Sequence, residues 1–329
     1  MSNKYRWGII STGNIANHFV EALKTLENAE VLAVGSRSQE TANNFSEKWS
    51  IPGAYASYEE LYKDPDVDIV YVGTPHNIHH WNVIDALNAG KHVLCEKSFA
   101  INATQSREMV ALAREKKLFL MEAMWNRFQP WYSVAREIID SGQLGEPQTL
   151  KADLSFKMEF DPEHRLFNPH LAGGALLDLG VYPIALSFLF FGKPESIESS
   201  MHLCETVVDD QVSMNFSYNN GASAELGCSS RFTSNTNPRL IGSKGYLEIN
   251  GIIPRPEKLS LHINGQEPQI IQTPYAGNAY QYEAQAVMNM LDKARIEHPL
   301  MPLDETIQII EVMDKIRSDG GLIYPGESR

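Results

Sequence analysis

The segment Ser11-Thr12-Gly13-Asn14-Ile15-Ala16 has residue types and spacing suited to binding a pyrophosphate. It follows an apolar run at residues 7–10 and opens a helical pattern, which is where dinucleotide-binding folds place Gly-x-Gly-x-x-Gly/Ala. Gly13 would let the backbone approach the phosphates, and free amides at the helix start would donate to them. Ser11 replaces the first glycine, and a serine is tolerable there if its backbone angles stay ordinary. A simple strand-to-helix turn is the alternative interpretation.

Ser36-Arg37-Ser38 lies about 20 residues beyond Ala16, where NAD-binding chains usually carry an acidic group for the ribose 2′-hydroxyl. Arg37 could instead stack on adenine or bind a 2′-phosphate, while the two serine hydroxyls donate further hydrogen bonds. The triplet therefore predicts NADP(H), with NAD(H) less favoured. An ordinary solvated loop arginine is the alternative.

Lys97 follows Glu96 at the end of an apolar run, residues 92–94. This position lies at the carboxyl edge of a parallel sheet, where ligands of open α/β folds bind. Beside an oxidised nicotinamide the ammonium feels a like charge, which favours the neutral amine. Lys97 would then act as an acid or base, or as a donor to a substrate oxygen, unless it is a plain surface lysine. The expected cofactor contacts are Ser11, Thr12, Gly13, Asn14, Ile15, Ser36, Arg37, Ser38, Thr74, Pro75, His76, His79, Glu96 and Lys97.

Asp178 and Tyr182 are four residues apart, so a helix would place them on one face. The residues around them are almost all apolar, and a buried aspartate needs a partner. A lysine from the other domain would supply one while closing an active-site cleft. Alternatively, Asp178 only caps or braces its helix.

Other polar and aromatic residues give weaker signals. His79 and His80 are adjacent, no nearby acid completes a ligand set with His76, and no Cys-x-x-Cys pair is present, so we expect no metal. The scattered cysteines are predicted to be reduced thiols without a disulfide framework. Five residues are candidates for the wall of a substrate cleft, with core packing as the alternative for the aromatics: Trp125, Arg127, Phe128, Phe156 and Arg165.

The elements that position these residues change character along the chain. Up to about residue 123, short β-rich runs alternate with helical stretches, which predicts an α/β Rossmann domain with a doubly wound parallel sheet. Strands are expected at residues 7–10, 31–35, 69–73, 92–94 and 118–121, and helices at 14–26, 40–49, 79–88 and 103–116. We place the domain boundary between residues 123 and 124.

Residues 124–329 are predicted to form an α+β domain with a mainly antiparallel sheet, which is a plausible dimer surface. Turn residues such as Asn219-Asn220-Gly221 separate several of its strands. The expected strands are 149–156, 196–202, 211–218, 223–228, 245–249 and 258–263, and the expected helices are 131–141, 174–191, 280–293 and 303–317. The last helices could pack back on the first domain.

Composition limits the class of protein. The chain has 329 residues, 43% of them apolar and 21% charged, so it should fold with a sizeable core, and its length favours two domains. The formal charge of −13 and the lack of a basic block argue against nucleic acid. We expect no secretory signal, no membrane span and a cytoplasmic location.

Four segments together resemble the Gfo/Idh/MocA oxidoreductases, nearly end to end. They are Trp7-Gly8-Ile9-Ile10-Ser11-Thr12-Gly13, Ala89-Gly90-Lys91-His92-Val93-Leu94-Cys95-Glu96-Lys97, Glu122-Ala123-Met124-Trp125 and Gly173-Gly174-Ala175-Leu176-Leu177-Asp178-Leu179-Gly180-Val181-Tyr182. Ser11 and Tyr182 make the dihydrodiol and D-xylose dehydrogenase branch the nearest. The resemblance implies an N-terminal Rossmann domain and, in residues 124–329, a substrate-binding domain with a large open-faced sheet that often dimerises. It also implies NADP with its nicotinamide beside Lys97, and functional roles for Lys97, Asp178 and Tyr182. Ser98 replaces the family's usual proline, which loosens the backbone constraint on Lys97.

We therefore expect an NADP-dependent oxidoreductase that transfers a hydride between the nicotinamide and a C–OH or C=O carbon of a sugar, polyol or vicinal diol. Either Lys97 or Tyr182 could exchange the proton, with Asp178 orienting or charging the other. An anhydrosugar or inositol dehydrogenase is the alternative enzyme, and a non-catalytic NADP-binding sensor is the alternative of another class. A homodimer or higher homo-oligomer is expected.

Overall fold

The computed structural model describes residues 4–327, and the chain divides into two compact units. The first unit comprises Met1–Phe128 and Ala276–Ile307, and the second comprises Gln129–Tyr275 and Gln308–Arg329. The first unit is therefore discontinuous in sequence, because a late stretch of chain returns to it.

The first unit is built on a parallel sheet of six strands. These are β1 (Tyr5–Ile10), β2 (Ala29–Gly35), β3 (Gly53–Tyr55), β4 (Ile69–Val72), β5 (His92–Glu96) and β6 (Leu120–Ala123). Their order is β3-β2-β1-β4-β5-β6, with parallel pairing throughout. This is the strand order of a Rossmann fold. The predicted doubly wound α/β fold is confirmed.

The second unit contains an eight-stranded sheet. Its strands are β7 (Pro147–Ser155), β8 (Ser196–Leu203), β9 (Asp209–Ser217), β10 (Ser223–Ser229), β11 (Arg239–Gly242), β12 (Gly245–Asn250), β13 (Lys258–Ile263) and β14 (Gln269–Gln272). They follow the order β14-β13-β12-β11-β7-β10-β9-β8, and β7 with β10 is the parallel pair among otherwise antiparallel neighbours. The predicted mainly antiparallel sheet is confirmed.

Helices cover these sheets. They are α1 (Asn14–Leu23), α2 (Gln39–Trp49), α3 (Tyr58–Lys63), α4 (His79–Asn88), α5 (Ala103–Lys116), α6 (Pro130–Asp140), α7 (Val181–Phe191), α8 (Gln281–Asp292) and α9 (Leu303–Gly320). In the first unit, Phe19 of α1 stacks on Tyr71 of β4 at 3.8 Å and meets Trp7 of β1 edge-on at 5.4 Å. This aromatic cluster fixes α1 against the sheet directly behind the glycine turn.

The helix predicted at residues 174–191 is present and contains a π turn that the sequence pattern did not indicate. Leu176–Gly180 is a π-helix, and α7 continues from it. A single π turn within a helical segment is frequent at functional sites. Pro169–Phe191 is also long and apolar enough to cross a membrane by length and composition alone, but 78% of its apolar window is buried inside the fold, as in a core helix.

Candidate active site

The turn after β1 has an unusual backbone. Ser11 adopts a φ of 140°, in the region that favours glycine, so the condition of ordinary angles for a serine at this position is not met. Its amide donates to the Gly35 carbonyl at 3.3 Å, and its Oγ accepts the Gly13 amide at 3.1 Å. These two bonds hold the serine in a conformation that a glycine would adopt without strain.

Gly13 leaves open space in front of α1. Among the described residues, a Cβ added there would meet only Ser11 Oγ, at 3.4 Å, so no packing within the chain requires glycine at this position. No side chain caps α1, whose first turn comprises Asn14, Ile15 and Ala16. The first amides of a helix lack partners within it, so this turn can bind an anion.

The end of β2 presents one exposed cation. Arg37 is exposed, whereas the hydroxyls on either side of it bond to Thr41 at the start of α2. Ser36 Oγ lies 2.5 Å from Thr41 Oγ1, and Ser38 Oγ accepts the Thr41 amide at 3.3 Å. Both serine hydroxyls therefore contribute to the structure of this loop, whereas the Arg37 side chain is exposed to solvent.

The loop after β4 is anchored by His79. This histidine is fully buried, with Nδ1 2.9 Å from the Ser98 carbonyl and Nε2 2.7 Å from the Thr74 carbonyl. Burial lowers its pKa. His79 therefore braces the loops after β4 and β5 against each other, whereas the predicted contact Pro75 lies exposed on the same loop. His76 is buried and packs edge-on against His79 at 5.6 Å.

Lys97 is half-buried at the carboxyl end of β5 and follows a buried carboxylate. Glu96 Oε1 accepts the Tyr71 hydroxyl at 2.5 Å, and its Oε2 accepts the Lys97 amide at 3.2 Å. The peptide bond between Lys97 and Ser98 is cis. Lys97 thus leaves the sheet edge from a backbone fixed by Glu96.

A second carboxyl group in α8 faces this network. Burial, together with the neighbouring Glu96 charge, raises the pKa of Glu283 well above its usual value. Glu283 is fully buried, and within residues 4–327 neither of its oxygens has a hydrogen-bond partner. A protonated Glu283 would leave Glu96 as the charged member of the pair.

The predicted substrate residues of the first unit are mostly internal. Trp125 is buried and stacks on Tyr280 at 4.5 Å, and Phe128 meets His298 edge-on at 5.0 Å. Arg127 is 2% exposed and forms an ion pair with Glu305 at 2.5 Å. In this environment Arg127 contributes to the core of its unit.

In the second unit, the π-helix positions Asp178 against an arginine. Arg165 donates from Nη1 and Nη2 to the two carboxylate oxygens of Asp178, at 3.0 and 2.9 Å. This bidentate pair supplies a partner from the same unit, whereas we had expected a lysine from the other domain; the lysine contact stays a prediction. Tyr182 follows at the start of α7 and is buried. Phe156 is half-buried beside a polar cleft of about 170 Å³.

The His, Cys, Asp and Glu side chains of the described residues are not grouped as metal ligands. Across residues 4–327, no group of three or more His, Cys, Asp or Glu side chains is arranged to hold a metal ion. His80 instead pairs with Glu108 at 2.8 Å, and the three thiols are free.

Comparison with known protein families agrees with both units. Residues 5–124 match the family described as "Oxidoreductase family, NAD-binding Rossmann fold", and residues 132–248 match the family described as "GFO/IDH/MocA C-terminal domain". The chain belongs to the Gfo/Idh/MocA oxidoreductase family. The predicted resemblance and the predicted oxidoreductase class are confirmed.

Relatives within the Gfo/Idh/MocA family match nearly the whole chain. The trans-1,2-dihydrobenzene-1,2-diol dehydrogenase of Mus musculus is 38% identical, covering 98% of this chain and 99% of its own. The human enzyme of the same name is 36% identical, with 98% and 99% covered. A 3-ketoreductase from Actinomadura kijaniata, solved with NADP and TDP-benzene, superposes with a TM-score of 0.86 at 26% identity, covering 97% and 98%.

Sequence reasoning missed the buried partners behind the Gfo/Idh/MocA motifs. Tyr71 and Glu283 were not singled out, although a lone glutamate on the apolar side of a helix was a usable signal. The pairing of Arg165 with Asp178 had no signal, because the two residues are joined by an irregular loop.

Proposed function

We propose that this chain is an NADP-dependent dehydrogenase that moves a hydride between the nicotinamide and a C–OH or C=O carbon of a sugar, polyol or vicinal diol. The observation that carries the proposal is the position of Lys97 at the carboxyl end of β5, where Glu96 accepts its backbone amide. In the same sheet, β1 leads into the Gly13 turn and the first amides of α1, which lack partners within the helix. The dihydrodiol dehydrogenases at 36–38% identity support a diol or a related polyol as substrate.

The residues at the sheet edge fit a dinucleotide. The open space at Gly13 and the unpaired amides of α1 suit a pyrophosphate. Arg37 suits a 2′-phosphate, because it is exposed and because the Ser36–Ser38 triplet contains no acidic side chain that would repel the phosphate. NADP bound in a related 3-ketoreductase supports the same preference. When bound, the nicotinamide would supply the hydride acceptor or donor.

The protein's own groups would handle the proton. Lys97 is placed to donate to, or accept from, a substrate oxygen, and Tyr182 is the second candidate for that exchange. Arg165 compensates the Asp178 carboxylate, so Asp178 can orient a neighbouring donor without leaving a buried charge unpaired. Solved structures of the 3-ketoreductase include a lysine-to-alanine and a tyrosine-to-phenylalanine variant, which supports testing both residue types here.

A cofactor-fluorescence screen tests this function. NADP⁺ would be offered with aldoses, polyols, inositols and trans-dihydrodiols, and NADPH with the matching carbonyl compounds, with NAD(H) as the paired control. We expect turnover with at least one diol or sugar and tighter binding of NADPH than of NADH. Equal affinity for both cofactors would refute the NADP preference. Tight binding without any turnover would favour a non-catalytic sensor, and activity confined to inositols or anhydrosugars would favour the alternative enzyme.

A further inference from the structure

The two glycines that precede the π-helix are closely confined. Gly174 has a φ of +123°, and a Cβ added there would overlap Asp209 Oδ1 and lie 3.3 Å from the Tyr324 hydroxyl. A Cβ on Gly173 would come within 2.7 Å of the Leu166 carbonyl oxygen. Asp209 and Tyr324 therefore lie in direct contact with the turn from which the helical segment carrying Asp178 and Tyr182 begins.

Asp209 holds the start of the π-helix. Its Oδ2 accepts the Leu176 amide at 2.6 Å, and Leu176 is the first residue of the π turn. The side chain is only 1% exposed, and within residues 4–327 its Oδ1 has no hydrogen-bond partner. A buried carboxyl group is costly unless it is bonded, so its placement at a helix start indicates a specific use.

Tyr324 holds the Gly173–Gly174 turn, which precedes the π-helix. Its hydroxyl donates to the Gly173 carbonyl at 2.6 Å, and the side chain is 2% exposed. Its ring lies under the Arg317 guanidinium at 4.9 Å, and its amide donates to Glu327 Oε2 at 2.9 Å. Arg317 binds the two Glu327 oxygens at 2.7 and 3.0 Å. The C-terminal segment, residues 322–327, is thereby fastened to α9 and to the glycine turn.

We propose that Asp209 and Tyr324 are positioning residues, which set the place of Asp178 and Tyr182 by holding the Gly173–Gly174 turn and the first amide of the π-helix. This inference rests on the proposed function of Asp178 and Tyr182. The link is short, because the Asp178 amide itself donates to the Gly174 carbonyl at 3.4 Å. A small shift of the turn is passed directly to Asp178, and misplacement by about 1 Å can cost about a hundredfold in rate.

Two conservative substitutions test the proposal. Tyr324→Phe removes only the hydroxyl that donates to Gly173 and keeps the ring under Arg317. Asp209→Asn keeps the shape and one acceptor oxygen but replaces the carboxyl group by an amide. Tyr218→Phe is the matched control, because Tyr218 is another buried tyrosine of the same unit, and among the described residues its hydroxyl has no hydrogen bond to the Gly173–Gly174 turn.

Hydrogen exchange and kinetics give separate readouts. We expect Tyr324→Phe to speed amide exchange in residues 174–182 by about 5- to 10-fold, the scale of one lost hydrogen bond. Asp209→Asn weakens the bond to Leu176 without removing its acceptor, so we expect it to speed exchange there by a smaller factor. Exchange in the first unit should be unchanged in both variants. We also expect kcat to fall about 10-fold with NADPH affinity within 2-fold, and Tyr218→Phe to change neither readout.

The outcomes distinguish this inference from the proposed function. Unchanged exchange in residues 174–182 overturns the positioning role, whether or not the wild-type chain is active. Faster exchange with a normal kcat also overturns it, because the turn would then move without consequence for the reaction. If the wild-type chain turns over no substrate, the proposed function fails, while faster local exchange still supports the hold on the turn.

Discussion

Replacing Arg127 by methionine separates a structural role from a substrate-binding role for this arginine. The sequence made Arg127 a candidate for the substrate cleft, but the structure buries it in an ion pair with Glu305. Its Nη1 also donates to the Leu300 carbonyl at 3.1 Å. Methionine keeps much of the volume and removes the charge and the donors.

The expected loss of stability follows from the groups that lose Arg127 as their partner. The Glu305 side chain is 28% exposed, so water would partly compensate the loss of its partner, but the Leu300 carbonyl would lose a donor. Burial raises the pKa of Glu122 to about 7, and the Arg127 charge opposes that rise. Breaking a buried pair costs about 3 to 5 kcal/mol, and the partial exposure of Glu305 places this one near 3 kcal/mol. At about 2 to 4 °C per kcal/mol, Tm should fall by roughly 6 to 12 °C.

Thermal unfolding followed by circular dichroism, with kcat/KM measured at a temperature where both proteins are folded, is the assay. We expect a large fall in Tm and a kcat/KM within a few-fold of wild type. The double variant Arg127→Met with Glu305→Leu should recover most of the loss, because an apolar pair can replace a buried ion pair. An unchanged Tm with a hundredfold loss of kcat/KM would refute this reasoning and return Arg127 to the substrate site.

Four further predictions concern three residues at the carboxyl edge of the parallel sheet and one buried glutamate. Lys97→Met should lower kcat by about 10²-fold or more with NADPH affinity within a few-fold, and near-normal turnover would rule out its role; activity that survives there but vanishes in Tyr182→Phe would assign the proton to Tyr182. Arg37→Ala should weaken NADPH binding by about 1.5 to 3 kcal/mol while NADH affinity, the internal control, barely changes. Because Ser11 sits at a glycine-like φ and loses its bond to Gly13 when truncated, Tm should rank Ser11→Gly above wild type and Ser11→Ala below it; the reverse order would exclude strain at Ser11. Glu122 has a folded pKa of about 7, above its unfolded value, so its contribution to stability is full below about pH 4.5 and is lost as pH rises through 7; Glu122→Gln should flatten that decline in denaturant titrations, and an unaltered slope would contradict the assignment.

Local signals explain which parts of the fold were predictable. The runs that became β1, β2, β4 and β5 are apolar, bounded by turns and separated by helical patterns, so their identity and their shared carboxyl edge follow from the sequence. In contrast, β3 has three half-buried residues and no apolar run. The edge strand β14 is mostly exposed, so it also gave no pattern.

In the candidate site, the sequence predicted the residues that follow strands but not the features that depend on distant contacts. Gly13, Arg37 and Lys97 were predicted to lie at one edge because each follows a strand, and topology alone brings strand ends to one edge. The φ of Ser11 and the π turn at Leu176–Gly180 depend on hydrogen bonds to distant residues, namely Gly35 and Asp209, which no spacing reveals. Likewise, the contacts of the buried His79 ring with the Thr74 and Ser98 carbonyls had no signal in the sequence.

The discontinuity of the first unit has a consequence for its biosynthesis. Residues 276–307 reach back into it: the Leu120 amide of the edge strand β6 donates to the Ile296 carbonyl at 3.2 Å, Asn278 donates to the His18 carbonyl at 2.8 Å, and Arg114 pairs with Glu297 at 2.8 Å. A nascent chain of about 130 residues would expose the surfaces that these contacts cover. On the ribosome, the first unit can therefore complete its core only after residues 276–307 have emerged. A stop codon soon after β6 should yield an aggregation-prone fragment and no independent cofactor-binding module.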